Sequence, residues 1–199
     1  MQLMVATRNR GKYLEIDEAL RSLPLVLRFL GDFPRIPSAE EDLATFEANA
    51  LKKARHIASL CGKATLADDS GLVVPSLDGE PGIHSARYAG ADADDQTNRE
   101  KLIEKIKLIP EANRKAEFVC VMALVTKEGR EITFEGRCEG RLLLTPKGTM
   151  GFGYDPLFYI PDKNKTLAEL SVKEKNRWSH RGQALEKVKE KIVAFLNGN

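Results

Sequence analysis

Asp68 and Asp69 stand side by side in this chain, after a short apolar run, Ala64-Thr65-Leu66-Ala67, and before Ser70-Gly71. Two adjacent carboxylates restrict a fold severely. They repel each other, and burying either one without a cation or hydrogen-bond donors is costly. The apolar run reads as a strand, which places the pair at a strand end, facing a cleft with a positive partner. A hard cation such as Mg2+ takes oxygen ligands and travels with phosphates, so it is the natural candidate. Asp, Ser and Gly are also ordinary turn residues. The four letters alone favour a plain turn, and the rest of the chain has to decide.

That rest can build a full core. At 199 residues and 42% apolar content, the chain suits one domain, or one domain of two lobes, and is too apolar for disorder. The formal net charge is only +2, with basic residues spread along the chain, so nothing demands nucleic acid. No apolar run approaches the ~20 residues of a membrane span, and no signal-peptide pattern is present, so no membrane association is expected. Cys61, Cys120 and Cys138 are odd in number and far apart. They suit neither a disulfide framework nor a zinc site and read as reduced core residues of a cytoplasmic protein.

Hydrophobic periodicity orders the chain. Leu3 to Ala6 reads as a buried strand, residues 12–23 as a helix with Ile16, Ala19, Leu20 and Leu23 on one face, and residues 25–30 as a second strand. A loop with an acidic cluster, Glu40-Glu41-Asp42, precedes a helix over residues 45–60. After the twin aspartates come Leu72-Val73-Val74, a Gly/Pro-rich loop to Gly90, and a helix over residues 94–109. Residues 117–126 and 131–144 read as a long hairpin, with Gly136 and Gly140 as bulge or bend positions. A short strand at 157–160 and a helix at 179–196 follow. This alternation predicts an α/β fold, a mixed twisted sheet with flanking helices, in which the hairpin forms a second lobe across a central cleft.

Five stretches carry chemistry-bearing residues. Thr7-Arg8-Asn9-Arg10-Gly11-Lys12 follows a strand and opens a helix, where free backbone N–H groups and the helix dipole attract anions. It is no P-loop, since GxxxxGK[ST] is absent. A glutamate of the acidic cluster completes an oxygen-rich Mg2+ site if that loop folds over the aspartates; otherwise it serves the following helix dipole. Lys53 either balances this charge, reaches a phosphate or is solvated. In Gly151-Phe152-Gly153-Tyr154-Asp155-Pro156, glycines allow close backbone approach and aromatics offer stacking faces, although a plain packed loop has the same composition. Lys175 and the stretch Ser179-His180-Arg181 supply cations at a helix start, where they oppose the dipole, so they read as donors aimed at a ligand. Arg87, in Gly82-Ile83-His84-Ser85-Ala86-Arg87-Tyr88, suits a phosphate or a structural ion pair.

Together these blocks resemble the inosine triphosphate pyrophosphatase family. The matching residues are Thr7-x-Asn9-x-x-Lys12, Ala67 to Leu72, Pro81 to Gly90, Gly151 to Pro156 and Ser179-His180-Arg181, in the family's order across nearly the whole chain. The resemblance implies a two-lobed α/β homodimer that uses Mg2+ to cleave dITP, ITP or XTP between the α and β phosphates. It implies Asp69 as general base and metal ligand, with Glu40 the other metal carboxylate, although the choice between Glu40 and Glu41 stays open. It further implies a substrate surface of Thr7, Arg8, Asn9, Arg10, Gly11, Lys12, Ser70, Phe152, Gly153, Tyr154, Asp155, Lys175, His180 and Arg181. His84 and Glu47 depart from the pattern; Glu47 receives no role, and that of His84 stays open.

The chemistry is coherent. Donors at one end and a cation across the phosphates are what a triphosphate needs. A cationic donor such as Arg181, with His180, reads the O6 acceptor and N1 donor of a keto-purine and leaves buried groups unpaired against adenine. Two alternatives share these features: a pyrophosphatase for modified pyrimidine nucleotides, and a nucleotide- or nucleic-acid-binding module without hydrolysis.

Overall fold

A computed structural model describes residues 1–198. Twelve helices and strands alternate much as the periodicity predicts: β1 (Gln2–Val5), α1 (Arg10–Leu20), β2 (Val26–Phe29), α2 (Phe46–Cys61), β3 (Thr65–Val73), α3 (Asp95–Ile106), β4 (Lys115–Val125), β5 (Glu131–Leu142), β6 (Phe158–Ile160), β7 (Lys165–Thr166), α4 (Val172–Trp178) and α5 (His180–Asn197). One seven-stranded mixed sheet runs in the order β2-β1-β3-β4-β5-β6-β7, with β2, β1 and β3 parallel and the remainder antiparallel. Among the described residues no helix is long and apolar enough to cross a membrane.

Side-chain alternation along β3 and β4 sorts the core by face. Leu66, Met122 and Leu124 pack under α1 and α5, against Ile16, Leu20, Leu185 and Val188. Ala67, Ala123 and Val125 pack under α2, against Ala50, Ala54 and Ile57. Farther along the same strands, Leu72, Phe118 and Cys138 join a separate cluster with Leu102, Tyr154 and Phe158. The sheet therefore carries one covered region around β1–β3 and another at the far end of the hairpin. The long strands are common to both.

Two features open a cleft between those regions. First, β1 lies between β2 and β3 while α1 and α2 lie on opposite faces, which makes the carboxyl ends of β1 and β3 a topological switch point, where α/β sheets bind ligands. Second, β1 is short. Its pairing with β3 ends at Val5↔Leu66, so the next residues of β3 lose their neighbour on that side. Asp68 and Asp69 lie just beyond that point.

The expected strand end and turn at Asp-Asp-Ser-Gly are absent. β3 runs unbroken for 9 residues through all four and stays in register with β4, from Thr65↔Val125 to Val73↔Glu117. The ladder's hydrogen bonds overrule the local turn preference. Gly136 and Gly140 are not bulges either, since the β4–β5 register passes through both. Their role is close approach: a Cβ at Gly136 would stand 2.1 Å from the His180 carbonyl oxygen, so only glycine lets the start of α5 lie on the sheet. Helix α4, seven residues long and opened by a Ser171–Glu174 capping box, has no counterpart in the sequence reading.

Candidate active site

The cleft consists of two adjoining chambers that share Asn9, Lys12, Ser70 and Ala86. The carboxylate chamber is lined by Thr7, Arg8, Glu41, Lys53, Asp68 and Asp69. The aromatic chamber is lined by Phe118, Phe152, Tyr154, Asp155, Lys175 and His180, with Arg181.

Asn9 builds the near wall. Its side chain caps α1 by accepting the Lys12 N–H at 3.1 Å, and its own N–H donates to the Thr7 hydroxyl at 3.1 Å. That cap points Lys12 inward, where its ammonium stands 3.1 Å from Asp68. Arg8 and Arg10 do not join it in pairing the aspartates. Arg8 donates to Ser38 and to the Ile36 carbonyl at 2.5 Å, while Arg10 lies over the rings of Tyr13 and Phe29. Gly11 packs against Phe152, whose ring a Cβ there would strike at 2.5 Å.

The two aspartates point to opposite faces of the sheet. Asp68 accepts from Arg181 Nε at 3.2 Å and Nη2 at 2.9 Å, and from the Ser70 hydroxyl at 3.3 Å. Burial by itself would push its carboxyl up; Lys12, Arg181 and Lys53 overcome that and hold it far below the usual carboxylate range. Among the described residues Asp69 receives one bond, from Lys53 at 3.1 Å, and its Oδ2 is buried with no partner. Burial pushes its carboxyl up, Lys53 offsets part of the rise, and Glu41 adds to it. Glu41 accepts from the same Lys53 ammonium at 2.7 Å, whereas Glu40 is exposed. The acidic loop thus brings Glu41, not Glu40, beside Asp69.

A buried chain of alternating charge backs the aromatic chamber. Lys175 lies 2.6 Å from Asp155 and 2.6 Å from Glu15, and Glu15 lies 2.6 Å from Arg181. Arg181 is therefore engaged: four of its five N–H groups go to Asp68, Glu15 and Ser70. Its place at a helix start reflects these carboxylates. His180 is also buried; its ring stacks on Phe118 at 4.6 Å and its Nδ1 has no partner among the described residues. Burial, then the charges of Arg181 and Lys175, hold it neutral, not cationic. Tyr154 is a core residue whose hydroxyl donates to the Ser85 carbonyl at 2.8 Å. The Phe152 ring covers Lys175 at 4.6 Å and Arg181 at 5.6 Å. Asp155 accepts the Phe152 N–H at 2.9 Å, and the Gly153 N–H donates to Asp95 at 2.6 Å.

Glu15, Asp95 and Phe118 are absent from the sequence reading, which names Ser85 without a role. Glu15 had one available signal, a carboxylate one helical turn after Lys12 and next to the core residue Ile16. A solvated helix carries the same pattern.

Comparison with known proteins supplies the lineage. A family model described as the Ham1 family matches residues 3–191. The chain belongs to that family. Among its Ham1 relatives, a dITP/XTP pyrophosphatase of Geobacter sulfurreducens is 50% identical over 191 residues, covering 96% of this chain and 96% of that protein. Another, from Desulfotalea psychrophila, is 47% identical and covers 98% of this chain and 86% of that protein. Among solved structures, a HAM1 protein from Coxiella burnetii matches with a TM-score of 0.87 at 39% identity, covering 98% of this chain and 99% of that one. A nucleoside-triphosphatase and dITP/XTP pyrophosphatase from Mycobacterium abscessus matches at 0.74 with 42% identity, covering 94% and 98%. These Ham1 structures share the open mixed sheet with flanking helices.

Proposed function

We propose that this Ham1 chain is a nucleoside triphosphate pyrophosphatase that hydrolyses dITP, ITP and XTP to the nucleoside monophosphate and pyrophosphate. The observation that carries the proposal is Asp69: a buried carboxylate with an unpartnered oxygen and a raised pKa, in a chamber it shares with Lys12, Lys53, Thr7 and Asn9. A carboxylate so placed is a stronger base than an exposed one, suited to take a proton from attacking water.

The donor set fits Mg2+. Asp69 and Glu41 flank Lys53, and the Oδ2 of Asp69, which has no partner among the described residues, would serve as a ligand. Among the described residues no three metal-ligating side chains gather, and Mg2+ is commonly held by one or two carboxylates with water and phosphate completing its shell. Bound there, the ion would offset negative charge on the departing pyrophosphate. Thr7, Asn9, Lys12 and Lys53 face the phosphates. The aromatic chamber takes the base against Phe152 and His180. One N–H of Arg181 and one of Lys175 are not engaged by carboxylates or Ser70, and they suit the keto oxygen of hypoxanthine or xanthine. Adenine would leave them buried without an acceptor. A single two-lobed domain over residues 1–199 and a homodimer complete the reading and rest on the family resemblance; a cytoplasmic location rests on the three free cysteines.

A product screen tests it. Pyrophosphate from dITP and XTP in the presence of Mg2+, with far slower release from dATP and dGTP, is the expected result. Orthophosphate as product, or preference for a pyrimidine triphosphate, would overturn it.

A further inference from the structure

The segment that delivers Glu41 has no support of its own. Among the described residues, no main-chain group of residues 37–44 bonds to another main-chain group. Side chains from three other places hold it instead. Arg8, from the loop after β1, reaches the Ile36 carbonyl and the Ser38 hydroxyl. Asn49, fully buried on α2, donates to the Leu43 carbonyl at 3.1 Å and accepts its N–H at 2.9 Å. Arg87, on the 3-10 turn Gly82–Arg87, donates to the main-chain carbonyl of Glu41 itself at 2.6 Å.

We infer that Arg87 is a positioning residue, whose grip on the Glu41 carbonyl keeps this segment closed over Asp69. Between the anchors at Ser38 and Leu43, the contact from Arg87 is the one main-chain tether among the described residues. The other bonds at this point are carried by side chains, Lys53 to Glu41 and Lys52 to Asp42. A carboxylate that turns to a cation must loosen its bond to Lys53; the bond from Arg87 to the carbonyl survives that change. The Arg87 guanidinium also stands 3.9 Å from the Glu41 carboxylate, near enough to attract it without occupying it. The link to Mg2+ rests on the function proposed above; the clasp itself does not.

The test reads the segment directly. In metal-free protein, a glutamate-specific protease cleaves after Glu40 or Glu41 only when the segment opens. Loss of one charge-assisted hydrogen bond in Arg87→Ala should raise that cleavage rate about tenfold, with Arg87→Lys in between. An unchanged rate overturns the clasp. The second readout is the Mg2+ concentration giving half-maximal pyrophosphate release from dITP. It should rise about tenfold in Arg87→Ala, while KM at saturating Mg2+ moves far less. A KM that rises equally would make Arg87 a substrate ligand and overturn the inference. If no triphosphate is hydrolysed, the proteolysis still decides the clasp; if hydrolysis is normal and proteolysis unchanged, the clasp falls alone.

Discussion

The two faces of β3 treat neighbouring aspartates differently. On the α1/α5 face, Lys12, Arg181 and Ser70 surround Asp68, and the Arg181 bond is backed by further ion pairs, from Arg181 to Glu15 and from Glu15 to Lys175. On the α2 face, Asp69 meets Lys53 and retains an oxygen with no partner. Both carboxylates are buried, and both lose hydration. The number of cations decides the outcome: Asp68 is held ionised, and Asp69 is left with a raised pKa. A saturated carboxylate is scaffold, whereas an unsatisfied one retains free energy for a ligand or a proton. Active sites commonly carry such a stability cost.

Replacing each aspartate separately tests that contrast. Asp69→Asn should lower turnover of dITP by about 10²–10⁴-fold, the usual scale of a general base, with a melting temperature no lower than that of the parent. Turnover near the parent rate would remove Asp69 from the chemistry. Asp68→Asn should act on the fold first. It strips a buried arginine of its charge partner, a loss of about 3–5 kcal/mol that denaturant unfolding would measure. A small change would mean that Glu15 suffices to hold Arg181.

Acid titration separates the pair more finely. In metal-free protein the Asp69 carboxyl should titrate above an ordinary aspartate, as read by carboxyl NMR, and that titration should be missing from Asp69→Asn. For stability the two signs oppose. Between its folded and unfolded pKa values Asp68 binds more protons unfolded, so its contribution is full above the unfolded value and is lost only as pH falls toward its depressed folded value. Asp69 binds more protons folded, so its burial costs stability as pH rises through its raised value. An Asp69→Asn protein should therefore gain stability relative to the parent between weakly acidic and neutral pH.

Much of the frame was legible. The apolar runs of β1, β3 and β4, the helical spacing of α2 and α5, and the order of the five motifs all follow from local composition and period. What misled was chemistry whose meaning depends on neighbours. Asp-Asp-Ser-Gly reads as a turn because its residues favour turns, yet eleven-residue β4 pairs with all four. Gly136 reads as a bend because the carbonyl of His180, far along the chain, is what demands a glycine there. The letters around Arg181 give no sign that most of its N–H groups serve Glu15 and Asp68, which lie more than a hundred positions away. Glu40 and Glu41 are indistinguishable as letters; only the path of a segment held by Arg8, Arg87 and Asn49 separates them.

By itself, the sequence determined the alternation of elements, the lineage and the inventory of charged groups, because periodicity, turn chemistry and motif order are local properties. Tertiary structure alone decided which carboxylate is neutralised and which is left wanting. Pairing strength depends on distance and on exclusion of water, and both are set by residues brought together from the ends of the chain.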